Sequence, residues 1–164
     1  HQEHKLRAIN IERRLVSSIA NSSSKQMILK HRLITQYVFP KYAWHLTKLR
    51  EFFLKTLLEH SVSRSAKISK WAIIEGKVFI GEEARIMRNA IINGPAYIGS
   101  NTIIGDHTLV RDSIIEDNSI IGCFMEVARS YSQSNLETHS GYLGDSIIDR
   151  KVHLGAEFIS AISD

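Results

Sequence analysis

The period of six that begins at Ala66 is the feature that most limits how this chain can fold. An aliphatic residue recurs at every sixth position without a slip, and a small or β-branched residue stands two positions before each. The aliphatic positions are Ile68, Ile74, Ile80, Ile86, Ile92, Ile98, Ile104 and Val110. A helical stripe would drift out of phase with this period, and ordinary strands would need turn residues between repeats. The pattern is typical of a hexapeptide-repeat β-helix.

In such a solenoid each hexad forms one short strand and one corner, and its aliphatic side chain points inward at the same place in every layer. Stacked layers bury a continuous aliphatic column, so no repeat folds alone. Glycine follows the aliphatic residue at Gly81, Gly99 and Gly105, and we expect it there to permit the corner conformation.

The repeat becomes irregular in the second half of the chain. Its register shifts by one residue at Ile115, and the polar run 130–135 then interrupts it. We expect this run to form a loop that projects from the solenoid. The repeats resume with aliphatic residues at Leu143, Ile148 and Leu154.

Residues 1–62 follow another pattern. Glycine is absent from them, and apolar residues recur at helical spacing. The strongest helix is expected from Lys41 to about His60, with a broad apolar stripe that needs a partner. The sequence therefore predicts a mainly β protein with two parts: a helical segment and linker helix over 1–62, and a β-helix over 63–164.

The net charge of +4 is divided unevenly between these parts. Eleven Lys and Arg face four Glu up to Val62, whereas ten basic residues face thirteen acidic ones afterwards. A basic segment can bind nucleic acid or another acidic partner, or it can consist of solvated helix faces. The basic residues are scattered and no nucleic-acid-binding motif accompanies them, so we expect solvated faces and no nucleic acid.

Composition also constrains the cellular setting. No apolar run approaches the roughly 20 residues that would span a bilayer, and we expect no membrane association. No secretory signal pattern is present at the N-terminus. The single cysteine, Cys123, cannot form an internal disulfide. These features indicate a cytoplasmic protein.

The residues that follow the broken repeat are the candidates for chemistry, because a regular solenoid presents only small repeating side chains. His139 follows the polar run, and a neutral imidazole can accept the proton of an attacking amine. Backbone N–H groups near Gly155 and Ala156 could stabilise a developing oxyanion. No phosphate-binding glycine-rich loop and no metal-ligand spacing accompany them, so this chain is not expected to transfer nucleotides or to bind a metal.

These residues resemble a known family. The run His139-Ser140-Gly141-Tyr142-Leu143-Gly144-Asp145, followed by a repeat that contains Gly155-Ala156, is similar to the C-terminal hexapeptide-repeat domain of the bifunctional N-acetylglucosamine-1-phosphate uridyltransferase/glucosamine-1-phosphate acetyltransferase family. The run Gly122-Cys123-Phe124-Met125-Glu126-Val127 is similar to that family's Gly-Asn-Phe-Val-Glu-hydrophobic run. The resemblance covers roughly Lys41 to Ala156.

The resemblance implies a left-handed coil, a homotrimer, and acetyl transfer from acetyl-CoA to an amino-sugar phosphate. It makes His139 the general base. Arg111, Arg129 and Tyr142 would bind the sugar phosphate, with Arg129 the nearest substitute for a family lysine, and Gly155 and Ala156 would contact acetyl-CoA.

This chain also departs from the family. Ala128 stands where the lysine is expected, His153 replaces an asparagine, and Glu157 replaces a glycine. Two functions therefore stay open: a sugar-phosphate N-acetyltransferase domain, or a non-catalytic β-helix that assembles or regulates a sugar nucleotidyltransferase.

Overall fold

The computed structural model describes residues 45–160. They begin with helix α1 (His45–Phe52), which continues into a π-helical turn at Phe53–Leu57. The turn ends where the Leu58 N–H donates to the Phe53 carbonyl over 2.9 Å. The buried side chains of Leu46, Leu49 and Phe53 confirm part of the predicted stripe. The expected helices before residue 45 lie outside the described residues.

Within the described residues, eighteen short strands follow the helix and form three parallel six-stranded sheets. Sheet A contains β1 (Ser61–Val62), β4 (Val78–Ile80), β7 (Ala96–Ile98), β10 (Ile114–Ile115), β13 (Tyr131–Ser132) and β16 (Ile147–Ile148). Sheet B contains β2 (Lys67–Ile68), β5 (Arg85–Ile86), β8 (Ile103–Ile104), β11 (Ile120–Ile121), β14 (Glu137–Thr138) and β17 (His153–Leu154). Sheet C contains β3 (Ile73–Glu75), β6 (Ile91–Asn93), β9 (Leu109–Arg111), β12 (Met125–Ala128), β15 (Gly141–Gly144) and β18 (Phe158–Ile159).

The chain visits sheets A, B and C in turn, and each strand pairs with the strand one coil later. The result is a parallel β-helix of six coils, as the six-residue period predicts. The family resemblance implies that this β-helix is left-handed. The aliphatic column forms the core: Ile86, Ile92, Ile98 and Ile104 are at most 1% exposed. Each of them pairs in register with the inward residue of the neighbouring coils, so one continuous apolar interior runs along the axis.

The shift of register at Ile115 arises at the corner between sheets C and A. Ile98 follows its partner Ile80 by eighteen residues, whereas Ile115 follows Ile98 by seventeen. Gly94 and Pro95 separate Asn93 from Ala96, whereas Asp112 alone separates the corresponding residues of the next coil, Arg111 and Ser113. Asp112 adopts a φ of 47° at this one-residue corner. The same one-residue corner recurs at Arg129 with φ 47°.

The expectation of a projecting loop at 130–135 is wrong. Tyr131 and Ser132 form β13, which pairs with β10 and β16, and both residues are buried. Ser130, which precedes β13, is buried because its hydroxyl is hydrogen-bonded to backbone groups. Ser130 Oγ accepts from the Ser146 N–H at 3.1 Å and donates to the Ala128 carbonyl at 2.9 Å.

The expected role of the corner glycines is also corrected. Gly81, Gly99 and Gly105 have no positive φ, but a Cβ at Gly99 would lie 2.5 Å from the Asp117 nitrogen of the next coil. They are required for close stacking of the coils. The left-handed conformation is adopted two residues after each of these glycines, at Glu83 (φ 52°), Asn101 (φ 56°) and His107 (φ 58°).

The outward face of sheet A carries aromatic residues in successive coils. The rings of Phe79 and Tyr97 stack with centroids 4.7 Å apart, and Phe53 of the π-helical turn meets Tyr97 edge-on at 6.2 Å. Burial, reinforced by Asp117 and Glu116, raises the pKa of Tyr97 to about 12. This face is therefore covered by the chain's own helical turn.

By packing, the chain divides into two compact units, residues 1–49 and 50–164. The first strand of the solenoid, Ser61–Val62, comes just ahead of the predicted start at residue 63. The division at 62/63 stays a prediction. Between residues 45 and 160, no helix is long and apolar enough to cross a membrane.

Candidate functional site

Arg111 and Glu126 form an ion pair on the outward side of sheet C. Arg111 ends β9, and Glu126 lies in the neighbouring strand β12. The Arg111 Nε and Nη2 atoms lie 3.0 and 2.8 Å from Glu126 Oε1, and about a third of each side chain is exposed (33% and 34%). Arg111, which was predicted to bind the sugar phosphate, is thus paired with a carboxylate of its own chain.

Arg129 and Tyr142 meet at the corner between sheets C and A. Arg129 Nε donates to Asp145 Oδ1 at 2.8 Å, and its Nη2 donates to Asp145 Oδ2 and, at 3.2 Å, to the Tyr142 hydroxyl. Arg129 and Asp145 occupy one-residue corners of successive coils, with φ of 47° and 49°. Stacking of the coils brings these two side chains together.

Gly144 shapes this cluster because it leaves room for the tyrosine ring. A Cβ at Gly144 would overlap the Tyr142 hydroxyl oxygen. The two residues are on the same side of β15, since side chains alternate along a strand. The ring can therefore lie along the strand and bring its hydroxyl to Arg129.

Hydrogen bonding fixes the charge states in this cluster. The two bonds from Arg129 hold the pKa of the Asp145 carboxyl below its usual range. The hydrogen bond to Asp145, and then the one to Tyr142, raise the pKa of Arg129. Both groups are ionised at neutral pH, and the pair carries no net charge. A phosphate at Arg129 would have to share it with, or displace, Asp145.

His139 lies at another corner, between sheets B and C, two residues before β15 begins. Its side chain is exposed, and its backbone N–H donates to the Leu154 carbonyl at 3.1 Å. The His139 ring meets the His153 ring edge-on, with centroids 5.3 Å apart. His153 Nδ1 in turn lies 3.4 Å from Glu137 Oε2.

Gly155 and Ala156 are in the coil after His139, at the same corner. Both are exposed, and a Cβ added to Gly155 would meet no atom within 4 Å. The structure therefore brings His139, Gly155 and Ala156 to one accessible edge of the solenoid.

The candidate residues form two groups at opposite ends of β15. At a rise of about 3.3 Å per residue, the backbone of His139 lies roughly 10 Å from that of Tyr142. The base candidate is at one end of the strand, and the tyrosine–arginine cluster is at the other. Among residues 45–160, no three His, Cys, Asp or Glu side chains are grouped so that they could hold a metal ion.

Sequence reasoning missed the carboxylates that hold the arginines. Glu126 and Asp145 lie fifteen and sixteen residues after their arginine partners, which is about one coil. The sequence does contain a signal for these pairs, namely opposite charges about one coil apart. The exact spacing depends on the length of each coil, which is known only from the structure.

Comparison with known proteins gives a family match that covers the whole described solenoid. Residues 58–161 match the GMPPB C-terminal domain family. The bifunctional protein GlmU of Wigglesworthia glossinidia brevipalpis is 26% identical over 143 residues, which is 73% of this chain and 29% of the relative. GlmU of Geobacillus thermodenitrificans is 30% identical over 130 residues, 65% of this chain and 27% of the relative. The chain thus spans less than a third of the length of these relatives.

A solved structure gives a weaker likeness. A mutant of perosamine N-acetyltransferase from Caulobacter crescentus, in complex with CoA and GDP-perosamine, is 15% identical. The match has a TM-score of 0.33 and covers 63% of this chain and 49% of the other.

Proposed function

The chain belongs to the GMPPB C-terminal domain family, and from this premise we propose that its β-helix transfers an acetyl group from acetyl-CoA to an amino-sugar phosphate. His139 acts as the general base. Tyr142, Arg129 and Arg111 bind the acceptor, and the Gly155–Ala156 corner receives the thioester. The similarity to the GlmU proteins supports this assignment.

The observation that carries the proposal is the arrangement of groups along β15. An exposed imidazole stands at the start of the strand, and a phenol–guanidinium cluster stands at its end, roughly 10 Å away. In glucosamine-1-phosphate the amine and the phosphate are on neighbouring carbon atoms, so the side chains of His139 and Arg129 have to extend toward each other to contact both groups. Arginine suits the phosphate because its planar fork donates two parallel hydrogen bonds.

The chemistry needs one base and an accessible thioester. His139 removes a proton from the acceptor ammonium group, and the free amine then forms a bond to the acetyl carbonyl carbon. The carbon–sulfur bond breaks as the nitrogen releases its second proton to water, which completes the amide. The CoA thiolate leaves and takes the proton from the His139 imidazolium. Such a base contributes roughly 10²–10⁴ in rate.

The corner of Gly155 and Ala156 suits the approach of acetyl-CoA. It is exposed, and the space beside Gly155 is free of other atoms to 4 Å. We expect the thioester to approach His139 along this corner, beside the His153 ring.

Thiol release with acetyl-CoA and glucosamine-1-phosphate tests the proposal. We expect release by the unchanged chain and a loss of roughly 10²–10⁴ in His139→Ala, with an unchanged circular dichroism spectrum. Arg129→Ala should chiefly weaken acceptor binding, because a phosphate contact exists in the ground state as well as in the transition state. Turnover that survives His139→Ala would show that another group is the base.

A second candidate function is a non-catalytic β-helix that assembles or regulates a nucleotidyltransferase. The observation in its favour is that Arg111 and Arg129 are both neutralised by carboxylates of the same chain. Absence of thiol release, together with absence of CoA binding in calorimetry, would favour this function over acetyl transfer.

In either function we propose that the chain is a homotrimer. Sheet A is covered by the π-helical turn, whereas sheets B and C leave apolar side chains exposed on their outward faces. Ile73 is 47% exposed on sheet C, and Ile120 is 43% exposed on sheet B. Packing of these faces between copies would remove them from water. Light scattering should report three chains, and a persistent monomer would contradict this arrangement.

A further inference from the structure

A ladder of side chains runs along the corner between sheets B and C. Asn89, His107 and Phe124 occupy equivalent left-handed positions in coils two, three and four, with φ of 55°, 58° and 55°. Asn89 Nδ2 lies 3.4 Å from His107 Nε2. The His107 and Phe124 rings stack with an interplanar angle of 1° and centroids 5.1 Å apart.

The next coil lacks this rung. Three residues separate Ile121 of β11 from Met125 of β12, but only His139 and Ser140 separate Thr138 from Gly141. Gly141 closes the shortened corner with a φ of 140°, which only glycine adopts readily. The ladder position returns one coil later at Glu157, with a φ of 60°.

The missing rung leaves a notch in the ladder, bounded by Phe124 on one side and Glu157 on the other. Adjacent strands of a sheet lie about 4.8 Å apart, so these two positions are separated by roughly 10 Å, the space of one intervening layer. His107 covers one face of the Phe124 ring, yet Phe124 is still 69% exposed. His139 belongs to the coil whose rung is missing.

The two walls of the notch differ in chemistry. Phe124 presents an apolar aromatic face. Glu157 is exposed, and its carboxylate forms no ion pair or side-chain hydrogen bond with any other residue between 45 and 160. An aromatic face opposite a carboxylate favours a ligand that combines a ring with an apolar face and a positive charge.

We propose that the ring of an amino sugar fills the missing rung, with one face on Phe124 and its ammonium group beside Glu157. The inference rests on the proposed function and adds the residues that recognise the amine. It also gives a role to Glu157, which stands where the relatives of this family were expected to have glycine. The ammonium group held there is at the same corner as His139, which removes its proton.

Charge distinguishes this ligand from others that stack on an aromatic ring. A hexose phosphate without an amine would gain the contact with Phe124 but no attraction from Glu157. An N-acetylated sugar has lost the positive charge, so product would bind more weakly than substrate. The notch therefore distinguishes an amino sugar from sugars that lack a charged amine.

Binding measured without turnover tests the proposal. Calorimetry on the full chain would compare glucosamine-1-phosphate with glucose-1-phosphate, with no acetyl-CoA present. Phe124→Ala should weaken both ligands by about threefold to tenfold, the size of one aromatic contact. Glu157→Gln should weaken glucosamine-1-phosphate by about threefold to fivefold and leave glucose-1-phosphate unchanged.

Two variants serve as controls. Trp71→Ala removes another aromatic side chain of the B–C corner, one that is 60% exposed in coil one. Glu82→Gln removes an exposed carboxylate at a corner between sheets A and B. Both should bind the two ligands as the unchanged chain does.

The outcomes separate this inference from the proposed function. Discrimination by Glu157 without any thiol release would support the amino-sugar site and contradict the transferase. Thiol release that depends on His139 but is unaffected by Phe124→Ala and Glu157→Gln would support the transferase and overturn the inference. Equal binding of both sugars by the unchanged chain, or no binding of either, would also overturn it.

Discussion

Arg129 and Asp145 occupy equivalent one-residue corners of successive coils, and the guanidinium of Arg129 donates two hydrogen bonds to the Asp145 carboxylate. Arg129 can thereby also reach the hydroxyl of Tyr142. A corner that lost one residue thus links two coils through their side chains. The same pairing sets the charge that an acceptor phosphate would meet.

The Arg129–Asp145 pair should make stability depend on pH in the acid range. Arg129 lowers the pKa of Asp145 in the folded chain, so the pair stabilises the fold above the ordinary carboxyl pKa. That stabilisation is lost as the pH falls from about 4 through the lowered pKa. Because both side chains are more than a third exposed, we expect Asp145→Asn to cost at most about 1 kcal/mol at pH 7.

Urea unfolding at pH 7 and at pH 3 measures this effect. The difference between Asp145→Asn and the unchanged chain should shrink at the lower pH. Glu82→Gln provides an exposed carboxylate control, which should change stability little at either pH. A difference that stays constant between the two pH values would show that the ionised pair contributes nothing.

The aliphatic column gives a sharper test of the fold, because inward and outward residues alternate along each strand. Ile92 is fully buried, whereas its neighbour Ile91 is 36% exposed on the opposite face. Ile92→Asp should cost several kcal/mol and unfold the solenoid, since the carboxylate would have no partner in the core. Ile91→Asp should keep the circular dichroism spectrum and most of the thermal midpoint. Equal losses of stability in the two variants would contradict the placement of Ile92 on the inner face and Ile91 on the outer face of β6.

The aliphatic column could be predicted from sequence because its period is set by geometry alone. Each coil places an inward side chain in each sheet at a fixed interval. The spacing of Ile80, Ile86 and Ile92 therefore predicts the fold, although no contact between these residues is known from the sequence. The one-residue shift at Ile115 was visible for the same reason. Its cause, a shortened corner at Asp112, required the structure.

The buried serines could not be recognised from sequence. Ser130 begins a polar run whose composition is typical of a loop. Its hydroxyl, however, accepts a hydrogen bond from the backbone of the next coil and donates one to a carbonyl of its own coil. The polarity of 130–135 therefore predicted a loop wrongly, because a buried hydroxyl is tolerated in the interior when it is hydrogen-bonded.

The candidate site could be predicted only in part, because some of its contacts depend on how the coils stack. His139 and Tyr142 came from a motif, whereas the carboxylates on Arg111 and Arg129 depend on the stacking register.

Ser132 should be a site where stability can be gained. It pairs with Ile115 and Ile148 in sheet A, so it interrupts a column of aliphatic residues. Its Oγ is buried and has no hydrogen-bond partner in the part of the chain that the structure describes. Ser132→Val removes this unpaired hydroxyl and adds apolar volume, and we expect a gain of about 0.5–2 kcal/mol.

Ser130→Val is the appropriate comparison for that variant. Ser130 is equally buried, but its hydroxyl is hydrogen-bonded, so its removal should cost about 1–3 kcal/mol. Thermal unfolding of both variants gives the sign. A loss of stability in Ser132→Val would mean that its hydroxyl has a partner after all.

Gly141 and Gly155 provide the last prediction, since both belong to the B–C corner but to different coils. Gly141 has a φ of 140°, and a Cβ there would overlap the Phe158 carbonyl oxygen. Gly141→Ala must therefore move β18 or strain the corner that forms the notch, at a cost of about 2–4 kcal/mol. Gly155→Ala meets open space and should change stability by less than about 0.5 kcal/mol. Chemical denaturation gives both values, and hydrogen exchange at Phe158 and Ile159 should increase only in Gly141→Ala. Equal stability of the two variants would show that the shortened corner tolerates a side chain, and it would remove the structural basis for the gap beside Phe124.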